Sequence, residues 1–367
     1  MIPWWQRAFR SLQGEAGLPP AGPGLRAVAT LAARGYGVLS RGRRYLYDTG
    51  RLRRHRLPLP VISIGNLVVG GTGKTPLTAL LASHYQAAGC RVAVISRGYG
   101  STAKGVRIIS DGEHLRYHPP LAGDEAYLLA LKLPGIPIIT GVDRCRAGFL
   151  AWEAFQPDVL LLDDGFQHYQ LARDLDVVLL DAAQPFGNGQ LLPRGPLREP
   201  VEMLTRAQVL ILTRYCEERH HYTWREITAA FPTAVVLRAR FSVARALVAP
   251  TKRDVELAAL ASQRLAAVAG VARPAAFAAN LQEMGLTLQR FFLFPDHYDF
   301  KPRDVAAITA AAQREGIQGL VTTEKDWVRL ARVWNKALPL YVVPLEVELL
   351  DPWPAHFLPL ACYGRAG

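Results

Sequence analysis

The amino-acid sequence predicts an α/β protein whose larger part is a doubly wound parallel sheet. From residue 61 onward, short apolar, β-branched runs alternate with stretches of helical character. Continuous apolar strands separated by helices are typical of a parallel sheet that helices cover on both faces. The first of these strands leads into a glycine-rich loop and then into a helix, which is the arrangement of a phosphate-binding loop (P-loop) in a nucleotide-binding domain.

The N-terminal segment, residues 1–56, is predicted to be basic, amphipathic and helical. It contains eleven arginines and no lysine against two acidic residues, so it carries +9 of the formal net charge of +12. Arginine-rich helices with tryptophans suit an anionic membrane surface, and we expect this segment to contact one. The alternative is an amphipathic helix that packs on the protein core. No nucleic acid is expected as a partner. The apolar residues are Trp4, Trp5, Phe9 and Leu12, followed at roughly helical spacing by Leu25, Val28, Leu31, Ala32 and Leu39.

Strands are predicted wherever the later chain has a short apolar run between turn-forming residues. We expect the larger domain at 57–240 and a smaller α/β domain at 241–367 that closes over the site, because polar, basic residues 251–254 interrupt the strand rhythm. The predicted strands are Val61–Ile64, Val92–Ser96, Ile136–Thr140, Val159–Asp163, Val177–Asp181, Val209–Thr213, Ala234–Leu237, Leu265–Gly270, Gly319–Thr323 and Leu340–Val343.

Several classes of protein are disfavoured by composition. The four cysteines are widely separated and form no Cys-x-x-Cys pair, so a zinc knuckle or a disulfide framework is not expected and a reducing cytoplasm fits best. The first residues lack the apolar stretch of a signal peptide. Arginines also interrupt every apolar run that would otherwise be long enough to span a bilayer.

The glycine-rich loop predicts that the protein binds a nucleoside triphosphate. Its glycines allow backbone N–H groups to turn toward phosphate oxygens, and the following helix N-terminus favours negative charge. Lys74 would contact the β- and γ-phosphates during catalysis, and the Thr75 hydroxyl would bind Mg²⁺. The loop departs from the general pattern at Val68, where a glycine is usual. The predicted nucleotide-binding residues are Gly70, Gly71, Thr72, Gly73, Lys74 and Thr75.

Two adjacent carboxylates, Asp163 and Asp164, end a later apolar strand. Because the carboxyl ends of parallel strands meet at one edge of the sheet, we expect both to lie beside the phosphate loop and near Mg²⁺. Further polar clusters follow other predicted strands, and Arg97, Arg144 and His168 come from three of them as candidates for binding the acceptor substrate. These clusters are residues 96–100, 123–125, 141–144, 164–168, 191–200, 295–300 and 322–326.

Taken together, these motifs resemble the tetraacyldisaccharide 4'-kinase family over most of the chain, from roughly residue 41 to residue 343. The shared motifs are Gly-Gly-Thr-Gly-Lys-Thr-Pro, Ser-Arg-Gly-Tyr-Gly, Gly-Asp-Glu, Asp-Asp-Gly-Phe-Gln-His, Leu-Leu-Pro-x-Gly-Pro-Leu-Arg-Glu-Pro, Asp-His-Tyr-x-Phe and Thr-Thr-Glu-Lys-Asp. The family's phosphate loop also shares the departure at Val68. The resemblance implies transfer of the ATP γ-phosphate to the 4'-hydroxyl of a tetraacylated disaccharide 1-phosphate, a lipid A precursor, at the cytoplasmic face of the inner membrane.

The resemblance also implies roles for individual residues. Asp124 matches the family's catalytic carboxylate, and it is coupled to a histidine that matches His297. Glu125 matches a residue near the metal, beside the acid pair already described. Arg198 and Glu199 fall in the loop associated with the lipid substrate.

Two other functions stay open at this point. Residues 251–254, Thr-Lys-Arg-Asp, match the guanine-recognition pattern of P-loop GTPases, so a GTPase or a partitioning-type ATPase switch is the first alternative. A nucleotide-binding membrane scaffold without enzymatic activity is the second. A preference for ATP over GTP, and lipid-dependent phosphate transfer, would distinguish them from a kinase.

Overall fold

The computed structural model describes residues 11–12, 21–242, 245–251, 253–271 and 274–357. Its helices are α1 (Pro23–Asp48), α2 (Lys74–Ala87), α3 (Asp124–Lys132), α4 (Arg144–Phe155), α5 (Glu217–Ala230), α6 (Leu257–Ala261), α7 (Pro274–Glu283), α8 (Pro302–Arg314) and α9 (Glu324–Leu330), with 3₁₀ turns at Val201–Arg206 and Ala355–Phe357. The strands are β1 (Val61–Asn66), β2 (Val92–Ser96), β3 (Arg107–Ser110), β4 (Ile138–Thr140), β5 (Val159–Asp163), β6 (Leu175–Asp181), β7 (Val209–Thr213), β8 (Val235–Ser242), β9 (Arg245–Val248), β10 (Arg253–Glu256), β11 (Leu265–Ala269), β12 (Leu288–Leu293), β13 (Gly319–Thr323), β14 (Leu340–Val343) and β15 (Glu346–Leu349).

The larger sheet confirms the predicted doubly wound fold. Its nine strands have the order β15-β8-β7-β6-β1-β5-β2-β4-β3, and all neighbours are parallel except the two edge strands, β15 and β3. Strands β1, β2, β5, β6 and β7 are buried along their whole length. This is the burial expected of strands with helices on both faces, α2 and α3 on one and α4 on the other.

A second sheet of six strands has the order β10-β9-β14-β13-β11-β12. The four strands from β14 to β12 are parallel, and the hairpin β9–β10 adds two antiparallel strands at one edge. The sequence did not predict β3, β9, β10, β12 or β15. These are short strands at or near sheet edges that contain polar residues, so they give no continuous apolar run.

The predicted boundary at residues 240 and 241 falls inside β8, which extends to Ser242. Strand β15 then pairs antiparallel with β8, so the chain returns to the larger sheet after completing the smaller one. Trp353 and Phe357 pack against the core of the larger sheet, and the Tyr85 hydroxyl donates to the Phe357 carbonyl oxygen at 3.0 Å. Residues 346–357 therefore belong with the larger sheet, although the prediction placed them in the C-terminal domain.

Helix α1 covers part of the predicted N-terminal segment, while Trp4, Trp5 and Phe9 lie outside the described residues. One side of α1 buries the small residues Ala29 and Ala33 together with Gly37. A Cβ atom on Gly37 would lie 2.8 Å from Leu191 Cδ1, so glycine permits the close approach of this helix to the 191–200 loop. The other side exposes large apolar side chains, at 46% for Leu25, 68% for Val28, 72% for Leu31, 69% for Val38 and 73% for Leu39.

Within the described residues, no helix combines the length and the apolar character that a membrane crossing requires. Among the cysteines described there, Cys145 and Cys216 are free, whereas Cys90 is disulfide-bonded. The sequence reasoning did not predict this bond, because widely separated cysteines give no local signal for pairing.

Candidate active site

The phosphate loop lies between β1 and α2. Gly70 and Gly73 have φ values of +118° and +89°, which lie in the region that favours glycine over residues with a side chain. The Lys74 ammonium donates to Asn66 Oδ1 at 3.2 Å and lies 3.5 Å from Asp164 Oδ1. Among the described residues, no side chain caps the N-terminus of α2, so its first backbone N–H groups can bind phosphate oxygens.

Arg214, which follows β7, was not among the predicted site residues. Its guanidinium donates to the Gly71 carbonyl oxygen at 3.2 Å and to Asp181 Oδ2 at 2.8 Å. The same group lies 5.1 Å from the centre of the Phe241 ring, and that ring packs so closely on Gly73 that a Cβ atom there would clash with it. Arg214 and Phe241 therefore support the loop from outside. The position of Arg214 after a strand was the available signal.

The acid pair lies at the end of β5, which is hydrogen-bonded to β1. Asp163 is buried and accepts a hydrogen bond from Thr78 at 3.2 Å. Burial and the nearby charges of Glu125 and Asp164 raise its pKa. Burial would also raise the pKa of Asp164, but the charges of Lys74 and Arg198 outweigh burial and lower it. The two neighbours thus differ in how readily they ionise.

Asp124 and Glu125 form the first turn of α3, immediately after Gly123. Asp124 is only 8% exposed, and its Oδ2 lies 3.3 Å from His297 Nδ1. His297 comes from the loop after β12, and it has a φ of +58°, which is uncommon for a residue with a side chain. The structure therefore brings together the two residues that the resemblance coupled, from opposite sides of the cleft between the sheets.

Helix α9 of the smaller sheet adds two cations to this cluster. Lys325 Nζ lies 3.0 Å from His297 Nε2 and 3.4 Å from Glu125 Oε1. Arg329 Nε lies 3.2 Å from Asp124 Oδ2. The sequence singled out residues 322–326 without assigning them a role, and it missed Arg329, because only the tertiary fold brings α9 against α3.

Arg144 lies close to the acid pair, and its charge in turn acts on His168. Arg144 is 3% exposed, and burial lowers its pKa to about 10 although Asp163 and Asp164 oppose the shift. Burial and the charges of Arg144 and Arg173 lower the pKa of His168 to about 4. Among the described residues, no hydrogen-bond partner is found for the buried atoms Arg144 Nε and His168 Nδ1, and a buried polar atom in this state usually has a bound water or ligand as its partner. Arg97 is exposed, and its positive charge is close enough to lower the pKa of Arg144 further.

Arg198 and Glu199 occupy different surroundings. Arg198 Nη1 donates to both oxygens of Asp164, at 3.0 and 3.1 Å. Glu199 is 4% exposed and accepts hydrogen bonds from Tyr169 and Arg206, both at 2.7 Å. Arg198 therefore faces the acid pair, whereas Glu199 anchors the 191–200 loop in the protein interior.

The carboxylates near the loop suit Mg²⁺, a cation that prefers oxygen ligands. Glu125 and Asp164 lie close enough to Asp163 for their charges to raise its pKa, and a divalent cation would offset that repulsion. In the described part of the chain, no three His, Cys, Asp or Glu side chains form a complete metal cage. Mg²⁺ usually combines one or two carboxylates with waters and substrate phosphates.

Residues 251–254, which matched the guanine-recognition pattern, do not follow a strand of the sheet that holds the phosphate loop. Thr251, Arg253 and Asp254 lie at the antiparallel hairpin of β9 and β10 in the smaller sheet, where the exposed side chain of Asp254 pairs with Arg245 at 3.3 Å. The GTPase alternative is therefore not favoured.

A phosphate loop after β1, an acid pair after the adjacent β5 and a carboxylate–histidine pair across the cleft define a P-loop phosphotransferase of the α/β class. Comparison with known proteins makes the assignment specific. The chain belongs to the tetraacyldisaccharide-1-P 4'-kinase family, LpxK, whose family model matches residues 25–358.

Individual relatives agree with this assignment. The chain is 42% identical over 320 residues to the tetraacyldisaccharide 4'-kinase of Geobacter metallireducens, and the aligned region covers 87% of this chain and 93% of that protein. It is 42% identical over 331 residues to the enzyme of the same name from Geobacter sulfurreducens, covering 90% of this chain and 91% of the relative. A crystal structure of LpxK from Aquifex aeolicus, described as an "apo" form in complex with ATP, aligns with a TM-score of 0.72 and 33% identity over 89% of this chain and 95% of the other.

Proposed function

We propose that this protein is a kinase that transfers the γ-phosphate of ATP to the 4'-hydroxyl of tetraacyldisaccharide 1-phosphate in lipid A biosynthesis. The observation that carries the proposal is the position of Asp124. This carboxylate lies 3.3 Å from His297 and is followed directly by Glu125, whose charge acts on Asp163 at the phosphate loop. A base for the acceptor hydroxyl therefore lies beside the site for the donor phosphates.

The proposed reaction follows from these positions. The backbone N–H groups at the start of α2 and the Lys74 ammonium bind the triphosphate. The sugar oxygen attacks the γ-phosphorus while the bond to the β–γ bridging oxygen breaks, and ADP leaves. A sugar hydroxyl is too weak an acid to ionise at neutral pH, so Asp124 accepts its proton as the new P–O bond forms.

Charge on the transferred phosphoryl group must be balanced during this step. We assign this role to Lys74 and Arg144, with Arg97 and Arg198 at the acceptor side and His168 beside them. Glu199 would act indirectly, by positioning Arg198. Magnesium, when bound, neutralises charge on the β- and γ-phosphates, and Asp163, Asp164, Glu125 and Thr75 would hold it.

The catalytic groups come from both sheets, so we propose that the larger unit and the smaller unit, whose sheet is built from residues 245–343, close together over the two substrates. Helices α3 and α9 already meet at the cleft, where the Lys132 ammonium lies 2.6 Å from Glu324 Oε2. Closure of this kind excludes water from the reacting phosphate, which would otherwise hydrolyse ATP.

We also propose that α1 and the residues before it contact the anionic cytoplasmic face of the inner membrane. The exposed apolar side chains of α1 form a row that can enter the interface, and the arginines of residues 1–56 can meet lipid phosphates. An acylated disaccharide does not readily leave a bilayer, so an enzyme that uses it gains from binding to the surface.

Incubation with γ-labelled ATP and tetraacyldisaccharide 1-phosphate tests the proposal. We expect labelled lipid from the wild type and none from a Lys74→Ala variant, and ATP should be used in preference to GTP. Binding of nucleotide without any labelled lipid would overturn the proposed function.

A further inference from the structure

His297 lies between two groups of opposite charge, and each contacts a different nitrogen of its ring. On one side, Asp124 Oδ2 is 3.3 Å from Nδ1. On the other side, Lys325 Nζ is 3.0 Å from Nε2. The resemblance couples Asp124 and His297 but assigns nothing to Lys325.

The hydrogen-bonding chemistry of these groups determines where the ring proton lies. An ammonium group can only donate, and an ionised carboxylate can only accept. Nε2 must therefore accept from Lys325, and Nδ1 must carry the proton that it donates to Asp124. A ring held in this way is a neutral imidazole with its single proton on Nδ1.

We propose that Lys325 is a positioning residue that holds His297 in this form, so that His297 orients Asp124 and does not itself take up the proton of the acceptor hydroxyl. The catalytic meaning of this inference rests on the proposed kinase function. Both His297 and Arg329 approach Oδ2 of Asp124, so the hydroxyl proton transfers to Oδ1. The sugar O–H bond breaks and the Oδ1–H bond forms, while the ring proton stays on Nδ1.

The surroundings keep all three side chains in place. Lys325 extends from the first turn of α9 and also contacts Glu125 at 3.4 Å. The Tyr99 ring packs against the imidazole with 4.7 Å between ring centres, and the backbone N–H of His297 donates to the Gly270 carbonyl oxygen at 3.3 Å. The Lys325 side chain is 27% exposed and that of His297 20%, so water has limited access to replace the ammonium.

Lys325 also links two parts of the site. Its other partner, Glu125, belongs to the proposed metal-side acids, and His297 belongs to the proton-transfer side. One ammonium therefore sets the spacing between the acid that faces the phosphates and the ring that orients the base. Removal of the ammonium should release the ring even if the two sheets remain in contact through Lys132 and Glu324.

The test measures the tautomer directly, by long-range ¹H–¹⁵N NMR on the full-length protein labelled in its nine histidines, at mildly alkaline pH. A His297→Gln variant identifies the signal of interest. We expect Nδ1 to be protonated in the wild type, and we expect Lys325→Met to shift the Nε2 signal of His297, because that nitrogen loses the ammonium that donates to it. Lys325→Met should lower kcat roughly tenfold or more, because a misdirected base loses part of its catalytic contribution, while KM for ATP changes less. Lys325→Arg, which keeps a cationic donor, should restore the Nε2 signal and part of kcat.

The matched control is Lys132→Met, which removes the other lysine that joins α3 to α9. This variant should leave the His297 tautomer as in the wild type. A wild-type ring protonated on Nε2, or a Lys325→Met protein with an unchanged Nε2 signal and an unchanged kcat, overturns the inference. The NMR result is independent of the acceptor, so failure of the wild type to phosphorylate the lipid would count against the proposed function and not against the tautomer.

Discussion

The exposed apolar row on α1 gives a quantitative prediction for membrane binding. Leu31 and Leu39 are 72% and 73% exposed, and full burial of a leucine side chain contributes about 1.5–3 kcal/mol. If both side chains enter the interface, the pair contributes about 3 kcal/mol, equivalent to roughly 100-fold in partitioning. A Leu31→Gln/Leu39→Gln variant should therefore bind anionic vesicles about 100-fold more weakly in a sedimentation assay.

The same variant should separate membrane binding from stability and chemistry. Substitution of exposed side chains usually changes the free energy of unfolding by less than about 0.5 kcal/mol, so its denaturation curve should match that of the wild type. Activity should fall on vesicle-embedded substrate but not on substrate dispersed in detergent. Tyr222→Gln is the matched control, because Tyr222 is 80% exposed on α5. Equal vesicle binding by all three proteins would refute a membrane role for α1.

Three further predictions concern residues around the site. Arg214→Met should raise KM for ATP roughly tenfold, since a hydrogen bond from a charged group contributes about 1.5–3 kcal/mol, and an unchanged KM in steady-state kinetics would show that Arg214 does not support the loop. Glu199→Ala should lower the free energy of unfolding by about 3 kcal/mol in urea titrations, because it leaves the charge of Arg206 buried and unpaired. A loss below about 1 kcal/mol would contradict the role of Glu199 as an anchor of the 191–200 loop. Because the folded protein lowers the pKa of His168 to about 4, below the usual value of about 6.5, the unfolded chain binds the proton first. Stability should therefore fall by up to about 1.4 kcal/mol per pH unit as pH decreases from about 6.5 toward 4. In the His168→Gln variant, the free energy of unfolding should lose this part of its dependence on pH. The same dependence on pH in the variant and the wild type would count against the lowered pKa of His168.

The central strands could be predicted from the sequence because each is apolar along its whole length, as in Val159–Asp163 and Val209–Thr213. The edge strands could not be predicted in the same way. Strand β15, Glu346–Leu349, alternates exposed and half-buried residues, and it is a strand only because β8 offers a partner. Helical spacing likewise predicted α1, but only the tertiary packing of its other side, where Gly37 approaches Leu191 and Ala29 is buried with Leu12 and Ala21, determines that Leu31 and Leu39 face outward.

The candidate site shows a similar division. Residues that follow strands, such as Lys74 and Asp164, were predictable because the strand ends of a parallel sheet converge. Lys325 and Arg329 act through contacts with residues about 200 positions earlier in the chain, so no local pattern could indicate their partners. Phe241 was missed for a related reason, since its contact with Gly73 depends on the position of β8 relative to the loop.

The pairing of β15 with β8 has a consequence for the order in which the protein assembles during synthesis. Glu346 lies opposite Ser242 in this pair, so the smaller sheet is an insertion whose two ends are adjacent. A ribosome completes β8 about one hundred residues before it completes β15, and until then the nascent larger sheet has an unprotected edge that can pair with another chain. The inserted unit must fold, or at least leave its ends close together, before that edge is covered. Expression conditions that slow its folding should therefore promote aggregation of the whole polypeptide.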